Sequence, residues 1–198
     1  MSQCVILTSQ SKRKDIMRVI TGIARGRRLE TLEGEDVRPT TDRIKEAVFS
    51  IIQFETEGRV FLDLFAGSGQ MGIEALSRGA KKAYFVDNSK KSIETLKRNL
   101  KTTKLEADAK VFSMDYRSFL SMCSEEIDIA FIDPPYKTGI LQEALELVAE
   151  SMKETGIIIA ENPLDEEILS NYGNFVLDRK YRYGKIKIST FRHKDFVK

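Results

Sequence analysis

Four residues that follow the apolar run Ile127–Ile132, Asp133-Pro134-Pro135-Tyr136, have the types and spacing to hold an amino group still. Each proline fixes its own φ and restricts the residue before it, so the pair makes a rigid, extended turn at the end of a strand. Such a turn can aim the Pro134 carbonyl and the Asp133 carboxylate at a planar NH2 group, while Tyr136 offers a ring face on which a base can stack. An exocyclic amine is a poor nucleophile because its lone pair is delocalised into the ring. Two acceptors on its hydrogens favour a more pyramidal, more nucleophilic nitrogen, so the protein supplies positioning and electrostatics. The bland alternative is a proline turn that closes a strand beside an incidental tyrosine.

An electrophile needs its own seat, and Val60–Gly79 has the form of one. Arg59–Phe65 is a short apolar run flanked by Gly58 and by Gly67-Ser68-Gly69, the pattern of a buried parallel strand. From Gly69 the spacing turns helical, with Met71, Ile73, Ala75 and Leu76 on one face and Gly79 as the stop. A strand that enters a helix through glycines leaves backbone N–H groups at the carboxyl edge of a sheet, where open α/β folds bind ligands. Gly67, Gly69 and Gly72 also spell G-x-G-x-x-G, a weak sign alone, because glycines equally permit close strand–helix packing. Asp63 closes the strand beside the loop, placed to accept from a cationic or amine-bearing ligand. Asp87 ends the next apolar run, Ala83–Val86, about twenty residues after the loop, the position from which a carboxylate holds ribose hydroxyls. With Phe65, Ala66 and Asn88 these residues make a candidate cofactor site that suits NAD as readily as S-adenosylmethionine. The Asp133–Tyr136 turn breaks the tie, because a nicotinamide dehydrogenase leaves it idle.

With these segments in this order, the chain resembles the RsmD-type 16S rRNA guanine-N2 methyltransferases, Rossmann-like enzymes that use S-adenosylmethionine. The resemblance runs from Met17 to about Arg192 through MRVITGIARGRRL, RPTTDRIKEAVFSII, DLFAGSGQMGIEALSRGA, FVDNS and DPPY. The glycine motif and DPPY recur in many methyltransferases, whereas RPTTDR joined to them is more specific. The resemblance implies an α/β fold with a mostly parallel seven-stranded sheet, helices on both faces, an antiparallel last strand and a small N-terminal β-hairpin appendage. It implies S-adenosylmethionine as cofactor and 16S rRNA as partner, within the 30S subunit or an assembly intermediate. It also distributes roles. Asp133, Pro134, Pro135 and Tyr136 are the catalytic set, and Asp115 and Tyr116 join the cofactor residues at the adenine end. Asp115 reads equally as a helix N-cap. Arg38, Thr40 and Arg43 shape the pocket for the substrate, and the cluster Arg18, Arg25, Arg27 and Arg28 faces RNA phosphate. A solvated charged face explains that cluster as well.

The remaining sequence sets bounds. At 198 residues the chain accommodates one well-cored α/β domain with a small appendage. Residues 1–16 read as a flexible or weakly attached extension or as a start placed too far upstream, 17–37 as the basic hairpin, and 38–198 as the methyltransferase domain. A net charge of +2 makes local clustering, not the total, the argument for nucleic acid. No run is long enough to span a bilayer, and VILT near the start is too short for a signal-peptide core, which predicts a cytoplasmic protein. Cys4 and Cys123 lack metal-ligand spacing, and the single histidine, His193, leaves little for zinc or imidazole chemistry. Nothing resembles an obligate interface, so a monomer is expected.

Helices are predicted over Arg43–Phe54, Ser89–Thr103 and Thr138–Lys153, with a shorter one over Tyr116–Met122. Strands are predicted at Ala109–Met114, Ile127–Ile132 and Ile157–Ala160, with a hairpin of Phe175–Tyr183 and Lys185–Arg192 around Gly184. Glu161-Asn162-Pro163, which follows the strand ending at Ala160, reads as cleft lining or as a simple turn. DPPY also serves adenine-N6 methylation, although no DNA target-recognition domain is evident in this length. A non-catalytic RNA-binding protein that kept the fold is the alternative from another class. Alanine at Arg38 is expected to cut methyl transfer while the thermal unfolding curve stays in place; unchanged transfer would count against a pocket role.

Overall fold

The computed structural model describes residues 17–32, 42–136 and 138–197, so the expectations for 1–16, Arg38 and Thr40 lie outside the described residues. Two strands set the centre, β1 (Val60–Asp63) and β4 (Ile127–Ile132), in which every residue is buried. Strands that are apolar on both faces need cover on both, and parallel crossovers through helices provide it. Outward from β1 lie β2 (Lys82–Asp87) and β3 (Ala109–Ser113), and outward from β4 lies β5 (Met152–Pro163). These five strands pair in parallel. β8 (Ile186–His193) then joins β5 antiparallel, and β7 (Phe175–Tyr183) and β6 (Asn171–Tyr172) complete the order β3-β2-β1-β4-β5-β8-β7-β6.

The sheet therefore has eight strands where seven were expected. The additional one is a two-residue ladder across the Gly173 turn, Tyr172 opposite Phe175, too short for a period to register in sequence. β5 also outruns its expected end, because Glu161, Asn162 and Pro163 stay in register with Ile188, Lys187 and Ile186 of β8.

The helices are α1 (Asp42–Ile51), α2 (Gln70–Ser77), α3 (Lys90–Thr103), α4 (Tyr116–Met122) and α5 (Ile140–Ser151). One apolar layer joins α1, α2 and α3 to the sheet through Val48, Phe49, Ile73 and Leu96. The other joins α4 and α5 to the opposite face through Phe119, Leu141 and Leu145. α1 stops three residues before the predicted Phe54, which is left 91% exposed, so its apolar character was no guide to burial. Among the described residues no helix is long and apolar enough to cross a membrane.

The segment Met17–Leu32 folds back on itself through Val19 N–H to the Arg27 carbonyl (2.9 Å) and Leu29 N–H to the Met17 carbonyl (2.9 Å), with a bridge between Arg18 and Arg28. It is held to the domain rather than hung from it. Met17, Val19, Ala24 and Leu29 are buried in the core layer. The Glu74 carboxylate of α2, 1% exposed, accepts from the N–H groups of Ile20 (2.7 Å) and Thr21 (2.9 Å). Ser77 Oγ accepts from Ala24 N–H and donates to the Thr21 carbonyl. Gly22 presses so closely on the Ser77 carbonyl that a Cβ there would lie 1.7 Å from its oxygen.

A backbone donor stripped of its partner costs about 1–3 kcal/mol when buried. Glu74→Ala removes the acceptor from two part-buried N–H groups and the ion-pair partner from Arg78, and is expected to lower the free energy of unfolding by about 2 kcal/mol in urea titration. A loss below about 1 kcal/mol would show that water replaces the carboxylate.

Candidate active site

Loops from five strands converge at the carboxyl edge of the sheet on a cleft of about 1620 Å3. That is ample for two ligands side by side, since a single small-molecule site occupies roughly 300–1,000 Å3.

One side of the cleft is the turn from β1 into α2. Gly67 has φ 51°, its N–H donates to Asp87 Oδ2 (2.8 Å), and Asp87 Oδ1 accepts from Ser89 N–H (2.8 Å). The Asp87 carboxylate thus ties the glycine loop to the end of β2. The three glycines of the motif divide between its two readings. A Cβ on Gly67 would meet nothing within 4 Å, so this residue serves the turn and leaves space open. A Cβ on Gly69 would lie 2.0 Å from Leu96 Cδ1 and one on Gly72 2.3 Å from the Phe85 ring, so these two serve helix packing. Accordingly Phe65, Ala66, Gly67 and Ser68 line the cleft and Gly69 does not.

Asp63 also lines it, 2% exposed, with Oδ2 accepting from Gly72 N–H (3.0 Å). Burial raises its pKa to about 7, and the neighbouring Asp87 charge adds to the rise while the Gly72 N–H opposes it. A carboxyl so poised gains from any cation brought beside it. Gln70, at the start of α2, also lines the cleft, and its Oε1 is buried without a hydrogen-bond donor among the described residues.

Across the loop, Asp115 caps α4, accepting from Ser118 Oγ (2.6 Å) and from the N–H groups of Arg117 (3.0 Å) and Ser118 (3.1 Å). The bonds from Ser118 above all hold its pKa below the usual carboxylate value. Capping and cleft lining coincide in this one residue. Tyr116 beside it is 6% exposed, its ring 5.3 Å from that of Phe65 and its hydroxyl donating to Glu143 Oε2 (3.0 Å). Burial, followed by the bond to Glu143, pushes its pKa up to about 12. With Asn88 also in the lining, the expected cofactor residues other than Gly69 form one wall.

The same cleft is lined by Asp133-Pro134-Pro135-Tyr136, at the end of β4 next to β1. Thr138 Oγ donates to the Pro135 carbonyl (2.7 Å), folding the chain back after the turn. The Tyr136 hydroxyl donates to Oε1 of Glu161 (2.8 Å), a carboxylate on β5 that is 4% exposed and lines the same cleft. Glu161 is the half-legible member of the site, since its place at the carboxyl edge allowed either reading. Gln70 and the β7–β8 turn, Tyr183-Gly184-Lys185, were not expected in the lining at all. Periodicity marks a hairpin but does not say over which edge its tip projects.

Of the expected substrate residues, Arg43 lines the cleft and Arg18, Arg25, Arg27 and Arg28 do not. All four are exposed. Arg18 Nε lies 3.7 Å from Asp42 Oδ2, whereas Arg27 Nη1 donates to the Thr102 carbonyl in the last turn of α3. Ser89 and Ser92 at the other end of α3 touch the cleft, so a helix of 14 residues, roughly 20 Å long, separates Arg27 from it. Among the described residues no group of three His, Cys, Asp or Glu side chains could hold a metal ion.

Residues 17–192 match the profile of the family described as conserved hypothetical protein 95. A Bacillus subtilis protein, named provisionally as an rRNA methyltransferase, is 41% identical over 181 residues, which cover 89% of this chain and 98% of its own length. The ribosomal RNA small subunit methyltransferase D of Haemophilus influenzae is 36% identical over 79% of this chain and 84% of its own. A solved Escherichia coli structure, 31% identical, superposes with a TM-score of 0.80 over 89% of this chain and 97% of its own.

A carboxyl whose folded pKa is raised binds more protons folded than unfolded between its two pKa values, so stability falls as pH rises through that interval. With Asp63 raised from 3.8 to about 7, the ligand-free protein is expected to lose stability from pH 4 to 7 and to level off above. Denaturant titration across this range should show the slope, and Asp63→Asn should remove that share of it; an unaltered slope in Asp63→Asn would refute the assignment.

Proposed function

We propose that this chain, which belongs to the conserved hypothetical protein 95 family of RsmD-type methyltransferases and is a methyltransferase of small-subunit rRNA, transfers a methyl group from S-adenosylmethionine to the exocyclic N2 amine of a guanine in 16S rRNA. The observation that carries this reading is one cleft whose lining holds both the glycine loop after β1 and Asp133-Pro134-Pro135-Tyr136 after the neighbouring strand β4.

The lining suits the cofactor. Asp87 is placed for ribose hydroxyls, Asp115 and Tyr116 for the adenine end, and Asp63 for the cationic end, where it would gain its charge on binding. When bound, S-adenosylmethionine supplies an electrophilic methyl group on a sulfonium. The chain's own residues do the rest. The Asp133 carboxylate and the Pro134 carbonyl accept from the two amine hydrogens, and Tyr136, anchored through Glu161, steadies the base. No residue needs to take a proton before transfer, in keeping with a cleft that lacks histidine in its lining.

Guanine over adenine is supported by Glu161. Beside its amine a guanine edge offers N1–H, a further donor that suits a carboxylate in the same lining, whereas adenine places an acceptor, N1, next to its amine. The target must leave its stack to reach the turn. The reading extends to a monomer acting in the cytoplasm on the 30S subunit or an assembly intermediate.

Labelled methyl transfer to 30S particles from a strain lacking the gene, followed by nucleoside analysis, tests this directly. N2-methylguanosine is expected, with at least a hundredfold loss in Asp133→Ala, since one preorganised acceptor is typically worth about that much. N6-methyladenosine would keep the mechanism and replace the base. No transfer to any nucleic acid would overturn the reading.

A further inference from the structure

The end of β7, the Gly184 turn and the start of β8 carry Arg179, Lys180, Arg182, Lys185 and Lys187 and, from 179 to 187, no acidic residue. The register sets Arg182 directly opposite Lys187, and like charges facing each other across an antiparallel pair are destabilising. Among the described residues no carboxylate lies within ion-pair distance of any of the five: Arg182 Nε donates to the Gly184 carbonyl (3.5 Å), Lys187 Nζ donates to the Leu164 carbonyl (3.3 Å) just before Asp165, and Asp178 and Glu55 pair with Arg192. Tyr181 and Tyr183 pack against the core layer that contains Ile186 and Ile188, so alternation turns Arg182 the other way, to solvent. The strip ends at the active cleft, where Tyr183, Gly184 and Lys185 share the lining with Asp133–Tyr136. Uncompensated positive charge that leads to a base pocket suits the backbone of a nucleic-acid strand.

We propose that the β7–β8 hairpin is the RNA-gripping element next to the active cleft, Arg182 and Lys187 binding phosphates that flank the target nucleotide and Lys185 guiding the strand at the lip. The proposal rests on the rRNA methyltransferase reading and gives it a substrate path at the cleft itself, away from Arg27 at the far end of α3. Arg182 and Lys187 act as positioning residues.

The test compares wild type, Arg182→Ala/Lys187→Ala and Arg182→Glu in methyl transfer to unmodified 30S particles, filter retention of 16S rRNA over a salt series, cofactor titration and thermal melting. The double variant is expected to raise KM for the particle about tenfold with kcat and cofactor affinity within about twofold of wild type. Its log–log salt slope should be shallower by about 1.4, or roughly 0.7 for each lost contact to a single strand. Arg182→Glu sets an opposite charge across from Lys187, so it should melt higher than wild type while binding RNA more weakly, a pairing of signs that a structural role does not produce. Wild-type KM and salt slope in the double variant would overturn the hairpin's role and leave the methyltransferase reading standing. Arg182→Glu that melts lower would overturn it in favour of a structural one. A wild-type protein that neither methylates particles nor retains rRNA would overturn both.

Discussion

Burial of β1 and β4 on both faces is the constraint from which the site follows. A strand covered above and below can meet a ligand only at its ends, and parallel crossovers collect the carboxyl ends of all such strands at one edge. Asp63 and Asp133 close these two neighbouring strands, so the glycine loop and the Asp-Pro-Pro-Tyr turn are adjacent because their strands pair, Leu62 beside Ala130 and Asp63 beside Phe131. The Gly67–Asp87 hydrogen bond extends the same edge to β2, and the Tyr136–Glu161 bond extends it to β5. Four strand ends are thereby joined side to side, β1 to β4 by backbone pairing and the outer two by side-chain carboxylates.

Much of this architecture is legible in the sequence because the parallel strands are short, apolar and bounded by glycine, proline or aspartate. β4 agrees with its expected span at both ends, and the hairpin of β7 and β8 closes at Gly184 as its turn chemistry predicts. β6 was invisible because two residues hold no period, and α1 was overextended because Phe54 has the type of a core residue without its place. Within the site, the residues found were those whose chemistry and strand-end position coincide: Asp63, Asp87, Asp133 and Tyr136. Those missed or left ambiguous, Gln70, Glu161 and Tyr183–Lys185, join the cleft through pairings between distant segments. Glu161 reaches Tyr136 across 25 residues, a distance over which spacing carries no signal. The glycine motif shows a subtler limit, since its three members share one pattern while Gly67 serves the cleft and Gly69 and Gly72 serve packing against Leu96 and Phe85.

Asp63 exemplifies a site held short of its most stable state. Its burial is unfavourable to the charged form, only one backbone N–H offsets this, and the nearby Asp87 worsens it. A protein selected for stability alone would place an apolar residue or an asparagine there. On the proposed reading, this carboxyl is where an incoming cation would make the largest difference, and part of the cofactor's affinity would be stored beforehand as strain in charge rather than in backbone geometry.

The anchoring of Met17–Leu32 to α2 bears on the order in which the chain can fold. Its backbone N–H groups find their acceptors at Glu74 and Ser77, more than 50 residues further along. On a ribosome the earlier segment is made first, yet it must stay unpaired until α2 has emerged and packed, since only then do a carboxylate and a hydroxyl exist to receive it. The earliest-made of the described segments is therefore a late element to settle, and its basic side chains acquire fixed positions only once the glycine loop preceding α2 has been built.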